Sequence, residues 1–258
     1  MMTVNHRCSF LSAWLKAGSM SFLLLLSLSV IASPQDKKEV TFSHQTVLDL
    51  AKKRAQKPFK NPKQAPISLT RLDAETYQKI RFQQQSAIWG NSPTPFSIQL
   101  FAPGFLYKNL VDIDIVESGK SVPINVTESS FKVPNPEVAN ALAQVGKYAG
   151  FRLHYPLSKG QEKNEFIIFQ GASYFRAVSK GQLYGISARG LAIDVAEPKG
   201  EEHPTFTHFW IERPGKDQTA IVVHALLDSK SVTGAYRFGI YPNDPTRMDI
   251  KVTLFPRV

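Results

Sequence analysis

Apolar residues recur at every second position over much of this chain, from about residue 96 onward. Such alternation is typical of β-strands that bury one face and expose the other. It is clearest over residues 96–100, 111–115, 151–155 and 248–254. Three further segments are almost continuously apolar and predict strands buried on both faces, at residues 165–170, 220–227 and 236–241.

A helical period is confined to short segments. Ser43 is a favourable N-cap for the first predicted helix, whose inward face holds Val47, Leu50, Ala51 and Arg54. A second short helix begins at Asp73 and carries Tyr77 and Ile80 inward, and residues 136–145 favour a third. Between the first two, prolines at positions 58, 62 and 66 predict an extended connector.

Many strands separated by Gly, Pro, Asn and Asp predict an all-β fold with short N-terminal helices. The expected architecture is a large antiparallel β-sandwich. The periodicity alone is also compatible with a barrel, because both architectures use strands that alternate between two faces.

Residues 1–32 have the features of a secretory signal peptide. Arg7 and Lys16 supply positive charge, residues 22–31 form an apolar run, and Ala32 ends a small-residue cleavage site. We therefore predict export to the periplasm and a mature domain over residues 33–258. An uncleaved membrane anchor is the alternative, although the run is short for a membrane span.

Charge and cysteine content narrow the chemistry. The formal net charge is +10, and removal of Arg7 and Lys16 with the leader leaves +8. Cys8 is the only cysteine and lies in the leader, so the mature chain has no disulfide or thiol ligand. Lysines and arginines concentrate over residues 52–63, which favours contact with anionic envelope components or simply a solvated surface. A nucleic-acid partner is not expected of an exported protein.

The candidate site lies where aromatic, cationic and hydroxyl side chains alternate with glycines, mainly over residues 169–194. Aromatic rings cover the C–H faces of sugars, and Arg or Asp side chains hold pairs of hydroxyls. A buried polar network that joins two strands is the alternative interpretation. The predicted ligand-contacting residues are Tyr174, Arg176, Tyr184, Ser187, Arg189, Asp194, Glu201 and Trp210.

Three of these residues also fit purely structural roles. Trp210 lies between Phe209 and Ile211 and is equally suited to the core. Arg176 and Asp194 are suited to pair with each other as a buried ion pair.

Two other chemistries are disfavoured. Residues 185–189 resemble the serine nucleophile elbow, but Arg189 stands where that motif requires Gly. Glu201, Glu202, His203 and His208 match no short zinc motif, so we expect neither a metal nor another cofactor. Glycoside hydrolysis needs two carboxyl groups across the scissile bond, and the sequence offers Asp194, Glu201, Glu202, Glu212 and Asp228 without distances between them.

Several blocks in order along the chain resemble the periplasmic glucan biosynthesis protein G/D family (MdoG/OpgG type). The blocks are GASYFR at 171–176, SARGLAID at 187–194, FWIERP at 209–214, ALLDS at 225–229 and TGAY at 233–236. The resemblance implies a sandwich of the galactose mutarotase type. It also implies a role in making or trimming osmoregulated β-1,2-linked glucans with β-1,6 branches.

The resemblance further implies that this chain corresponds to the N-terminal part of a longer protein. Family members continue into more of the sandwich and an immunoglobulin-like domain, and the β-1,2-glucanases among them carry their catalytic carboxylates in that later part. We therefore expect a truncated copy without hydrolytic activity. Its expected partners are the glucan backbone and the inner-membrane glucosyltransferase. The alternatives are a non-catalytic carbohydrate-binding module and a non-functional fragment.

Overall fold

The computed structural model describes residues 41–125, 128–158, 160 and 162–257, so the predicted signal peptide lies outside the described residues. The helices among these residues are α1 His44–Ala55, α2 Ile67–Thr70, α3 Ala74–Gln78 and α4 Pro136–Val145. The first strands are β1 Arg81–Phe82, β2 Ser97–Phe101, β3 Asp112–Glu117, β4 Lys120–Pro123, β5 Phe131–Lys132 and β6 Gly150–Tyr155. The remaining strands are β7 Asn164–Gln170, β8 Tyr174–Ala177, β9 Ala188–Arg189, β10 Thr205–Glu212, β11 Ile221–Asp228, β12 Val232–Tyr241 and β13 Arg247–Pro256.

Two main sheets form a sandwich. One has the order β13-β12-β11-β10-β3-β4, and the other has the order β2-β6-β7-β8-β9. A small β1-β5 ribbon accompanies them. Neighbouring strands are antiparallel except β3 and β10, which run parallel with His208 opposite Asp112. The predicted all-β sandwich is thus confirmed, but its description as antiparallel needs one correction at this pair.

Aromatic side chains fill the space between the two sheets. Phe169 of the five-stranded sheet lies 5.4 Å from Phe209 and 5.0 Å from Phe238 of the six-stranded sheet, measured between ring centroids. Phe151 meets Phe209 edge to face at 5.1 Å. All four rings are at most 3% exposed. Edge-to-face and offset contacts of this kind add to the free energy gained by burying the rings.

The outer face of the six-stranded sheet is covered by α1. The helix buries Val47 and Ala51 against Trp210, Leu226 and their neighbours. Alternation along β10 explains this arrangement, because Phe209 points into the sandwich while Trp210 points towards the helix. The sheet is therefore buried on both faces where α1 crosses it.

The local sequence accounts for the helix ends. Thr46 accepts a hydrogen bond from the backbone N–H of Ser43 at 3.2 Å where α1 starts. The Asp73 carboxylate accepts from the Thr76 N–H at 2.6 Å, and the Asn135 side chain accepts from the Val138 N–H at 2.9 Å. Each contact satisfies a backbone donor that the helix itself leaves unpaired. Gly146 then ends α4 in the left-handed conformation, at φ 57°.

The predicted strands and the helices at residues 44, 74 and 136 are confirmed. The apolar face expected to be buried at residues 248–254 is a correction, since Ile250, Val252 and Leu254 are 43%, 42% and 41% exposed. One detail of the first helix was wrong, since Leu50 is 39% exposed while Ala55 is buried on the inner face. No helix in the part of the chain that the structure describes combines the length and apolar character needed to cross a bilayer.

Replacing Phe169 with Ala should lower the free energy of unfolding by about 3–5 kcal/mol, because its ring lies at the centre of the aromatic layer. Urea unfolding followed by tryptophan fluorescence measures the change. Phe169→Leu keeps most of the volume and should cost less than Phe169→Ala. Equal, small losses for both variants would show that the layer does not depend on this ring.

His154 should make the fold sensitive to mild acid. Burial, reinforced by the charges of Arg152 and Lys163, lowers the pKa of His154 to about 4. In the unfolded chain the histidine takes up this proton near its ordinary pKa of 6.5, so the contribution of His154 to stability is complete above that pH and is lost as the pH falls towards 4. In urea unfolding between pH 7 and 4, His154→Gln should lose less stability than the wild type. Parallel curves for the two proteins would contradict this assignment.

Candidate functional site

The turn between β7 and β8 is built from residues in the left-handed region of backbone space. Gly171 has φ 76° and Ala172 has φ 43°. The Ala172 carbonyl accepts a hydrogen bond from the Phe206 N–H at 3.0 Å, and the Ser173 carbonyl accepts from the Gly190 N–H at 2.8 Å. The turn therefore connects the five-stranded sheet to the first residues of β10, and an alanine at positive φ is maintained by these surrounding bonds.

Three clefts meet at this turn and share lining residues. The smallest, of about 180 Å³, is lined by Ala172, Thr205 and Asn109 among others. It shares Ala172 with a cleft of about 830 Å³ on one side and with a cleft of about 450 Å³ on the other. We call the three together the groove. A depression that joins aromatic and polar walls in this way is suited to a hydroxyl-rich ligand.

One end of the groove combines aromatic and cationic side chains. Tyr174 is 36% exposed, and the Arg189 guanidinium carbon lies 5.7 Å from the centre of its ring. Arg176 donates from Nε to Ser187 Oγ at 2.6 Å. Tyr107 completes this end from a separate loop. The polar groups thus stand beside two aromatic rings, which is the combination that sugar recognition uses.

The other end of the groove is acidic, but each carboxylate has a partner. Asp194 pairs with Lys199 at 2.8 Å, and Glu201 forms an ion pair with Arg189. Glu202 accepts from the backbone N–H of Ser231 at 3.0 Å and from its hydroxyl at 2.9 Å.

Glu202 is held in its ionised form. Partial burial opposes ionisation, but hydrogen bonds from Ser229 and Ser231 and the charge of Lys230 outweigh that effect and keep the pKa of Glu202 below its usual range. A general acid in glycoside hydrolysis needs a raised pKa. Glu202 therefore fits a structural or hydroxyl-binding role better than proton donation.

The structure brings six of the eight predicted residues to the groove. Those that line it or pair directly with a lining residue are Tyr174, Arg176, Ser187, Arg189, Asp194 and Glu201. Tyr184 is half-buried instead, and burial together with the neighbouring Glu165 carboxylate raises the pKa of its hydroxyl. Trp210 is 3% exposed and stacks with Phe42 at 5.7 Å on the opposite face of the six-stranded sheet.

The structural alternatives that the sequence offered for these residues have different outcomes. Arg176 and Asp194 do not pair with each other, since Arg176 contacts Ser187 and Asp194 contacts Lys199. Trp210 has the core position that its apolar neighbours favoured. Ser187 lies just before the two-residue strand β9, not at a strand-to-helix turn.

The residues considered as metal ligands in the sequence, Glu201, Glu202, His203 and His208, do not come together in the structure. His208 contacts Asp114 at 3.0 Å, away from Glu201 and Glu202. Within the described ranges, no group of three His, Cys, Asp or Glu side chains is placed to hold a metal ion. Glu212 and Asp228 also lie elsewhere, beside His224 and Arg257 respectively.

Sequence reasoning missed the residues that reach the groove from other segments. Tyr107 and Leu106 come from the loop after β2, and Leu106 is 71% exposed. Gln170 lines the groove and donates to the Tyr77 hydroxyl at 3.4 Å, while the Tyr77 and Tyr107 rings lie 5.8 Å apart. The Leu106-Tyr107 pair shortly after Pro103-Gly104 is the local signal in the sequence that could have indicated this loop.

Comparison with known proteins agrees with the sequence blocks. A family model described as "Periplasmic glucan biosynthesis protein, MdoG" matches residues 42–258, which is most of the chain. The chain belongs to this periplasmic glucan biosynthesis protein family. The resemblance inferred from the sequence is therefore confirmed.

Relatives in the family have consistent names. Glucans biosynthesis protein G 2 of Shewanella oneidensis is 67% identical over 222 residues, which cover 86% of this chain and 42% of the relative. Glucans biosynthesis protein G of Vibrio cholerae is 45% identical over 224 residues, covering 86% of this chain and 41% of the relative. The same-named protein of Shewanella sp. strain MR-4 is 44% identical over 238 residues, covering 88% and 43%. The chain thus spans about two-fifths of the length of the curated relatives it matches.

Gly171→Ala should lower the free energy of unfolding by about 1–2 kcal/mol, because an L-residue resists the left-handed conformation that position 171 requires. The added methyl group would also reach the Tyr107 ring, 3.4 Å away. Gly185→Ala is the matched control, since that glycine has no positive φ and no atom within 4 Å of an added Cβ. Urea unfolding should separate the two variants, and equal effects would show that the turn tolerates a side chain.

Proposed function

We propose that the described domain binds a linear β-1,2-linked glucan backbone along the groove, as part of periplasmic glucan biosynthesis. The observation that carries the proposal is the continuity of three clefts around one turn, with Tyr107 and Tyr174 at one end. Family membership and the names of the relatives support the same polysaccharide class. Binding by the domain itself is the new element.

The side chains suit neutral sugar units. The rings of Tyr107 and Tyr174 offer flat apolar surfaces to the C–H faces of glucose. Arg176 uses Nε for Ser187, which leaves the two terminal nitrogens of its guanidinium available to hydroxyl oxygens of a ligand. Since β-1,2 linkage leaves several hydroxyls on each ring, paired N–H donors recognise such a chain well.

The described carboxylates favour binding over trimming. Asp194, Glu201 and Glu202 each have a cationic or hydrogen-bonding partner, so their oxygens are already engaged in contacts within the protein. Trimming of the glucan by the longer family protein is the second candidate function, supported by the resemblance to β-1,2-glucanases. The described part of the chain would then contribute substrate binding to that reaction.

We place this activity in the periplasm because the family is described as periplasmic and the leader has the features of a signal peptide. The inner-membrane glucosyltransferase is the proposed source of nascent glucan and a proposed docking partner. No cofactor is required by the binding chemistry.

Calorimetric titration with linear β-1,2-glucan tests the proposal. The wild type should bind saturably and melt at a higher temperature with the ligand present. Tyr174→Ala and Tyr107→Ala should each weaken binding by about 0.5–1.5 kcal/mol, because each removes one aromatic surface. Leu183→Ala is the control, since Leu183 is 94% exposed and lines none of the three clefts.

Normal binding by both tyrosine variants would show that the glucan does not bind in the groove. Aggregation without a cooperative melt would instead favour a non-functional fragment. A reducing-end assay on the same samples separates binding from trimming: turnover of the glucan by this chain would contradict a purely binding role.

A further inference from the structure

A second cavity adjoins the groove and lies between the end of α1, the segment that follows it and the six-stranded sheet. Its volume is about 590 Å³. Seven Lys or Arg residues and two Asp residues line it, an excess of five positive charges. Such an excess in one concave site focuses the electrostatic potential and attracts anions.

Part of this positive charge is fixed in the cavity wall. Among the described residues of the cavity, only Asp228 pairs with two guanidinium groups. Arg54 approaches one of its oxygens at 3.3 Å, and Arg257 bonds to the other. The Arg257 and Asp228 side chains are 8% and 7% exposed. Two cations facing one nearly buried anion leave a net positive charge, and the Arg54 side chain, which is 41% exposed, presents that charge to water or to an external anion.

The lysines at the mouth of the cavity carry further charge without a partner. Among the described residues, no carboxylate pairs with the ammonium groups of Lys53, Lys57, Lys60 or Lys63. Lys147 differs, since it pairs with Asp112. The exposed ammonium groups are therefore available to an incoming anion.

Compensation of the α1 dipole does not account for this cluster. Cations often gather at helix C-termini because the last carbonyls there are unpaired. Here Arg257 donates a hydrogen bond to the Arg54 carbonyl in the last turn of α1, and Lys53 lies in the same turn. Lys57, Lys60 and Lys63 lie beyond Ala55, where α1 ends, so they add charge that the helix end does not require.

The cavity also has an apolar side. Leu50, which is 39% exposed, lines it together with Leu110, Pro58 and Pro62. These groups would contact the organic part of a ligand while the cations hold its oxyanion. The arrangement therefore suits a phosphate ester better than a bare inorganic ion.

We propose that this cavity is a binding site for a phosphate ester, with Arg54, Lys57 and Lys60 contacting the oxyanion. The ester is either a small soluble molecule or the headgroup of an anionic lipid. The cavity would bind a charged ligand, whereas the groove is suited to neutral sugars. The two sites adjoin at Asn61 and Pro62.

Calorimetric titration with glycerol 1-phosphate in low-salt buffer tests the site. The wild type should bind saturably, and binding should weaken as salt screens the charges. The double variant Lys57→Gln/Lys60→Gln should bind at least about tenfold more weakly, since it removes two charge-assisted contacts. Both lysines are exposed, so the thermal melting temperature should stay unchanged.

Lys180→Gln/Lys216→Gln is the matched control. It lowers the net charge by the same amount, and both lysines are exposed and outside the cavity. Its affinity should stay within about twofold of the wild type, because charges far from the ligand are screened. Equal losses in the two double variants would overturn the proposal in favour of general attraction to a basic surface.

Vesicles distinguish the two sources of the ester. Sedimentation with phosphatidylglycerol vesicles, compared with phosphatidylcholine vesicles, should depend on Lys57 and Lys60 if the ligand is a lipid headgroup. Binding of glycerol 1-phosphate without vesicle binding would identify a soluble ester. Absence of both would overturn the proposal. Tyr174→Ala should leave this binding intact, so failure here and failure of the groove proposal are separate results.

Discussion

The hydrogen bond from the Phe206 N–H to the Ala172 carbonyl joins the two sheets where the candidate site forms. It holds the β7–β8 turn in a conformation that alanine otherwise avoids. Ala172 of this turn lines all three clefts of the groove. Phe169 and Phe206, which belong to the aromatic layer, also line the smallest cleft. The core and the site are therefore one packed unit, and the groove takes its shape from the interior beneath it.

Much of the fold was accessible from periodicity, because strands and helices place apolar residues at different intervals. The helix at residues 136–145 has the predicted bounds, since asparagine and proline open it and glycine closes it. The helix α2 was missed because four residues are too few to show a helical period. Trp210 shows a further limit: alternation separates its face from that of Phe209, but it does not reveal that α1 covers the face with Trp210.

The candidate site was predictable where it is local in sequence. Tyr174, Arg176 and Ser187 fall within one pattern and meet in the structure. Tyr107 comes from a loop more than sixty residues earlier, and the position of that loop depends on how the strands assemble. The carboxylates show the opposite. Glu212 and Asp228 are acidic residues like Glu201 and were candidates for the same reason, but they lie at other surfaces. The type of a residue indicates which chemistry it can support, whereas the topology of the fold determines which residues come together in one site.

The parallel pair β3 and β10 also affects how the chain reaches this structure. Residues 112 and 208 are adjacent in the sheet but separated by almost one hundred positions, and four of the five strands of the other main sheet lie between them in sequence. Closing so long a loop costs chain entropy before any contact offsets it. Hairpins such as β11–β12 can form early, whereas the junction of β3 with β10 must wait for the segments between them. The order of assembly is thus dictated by one strand pair, and folding is expected to be slow, on the order of milliseconds to seconds.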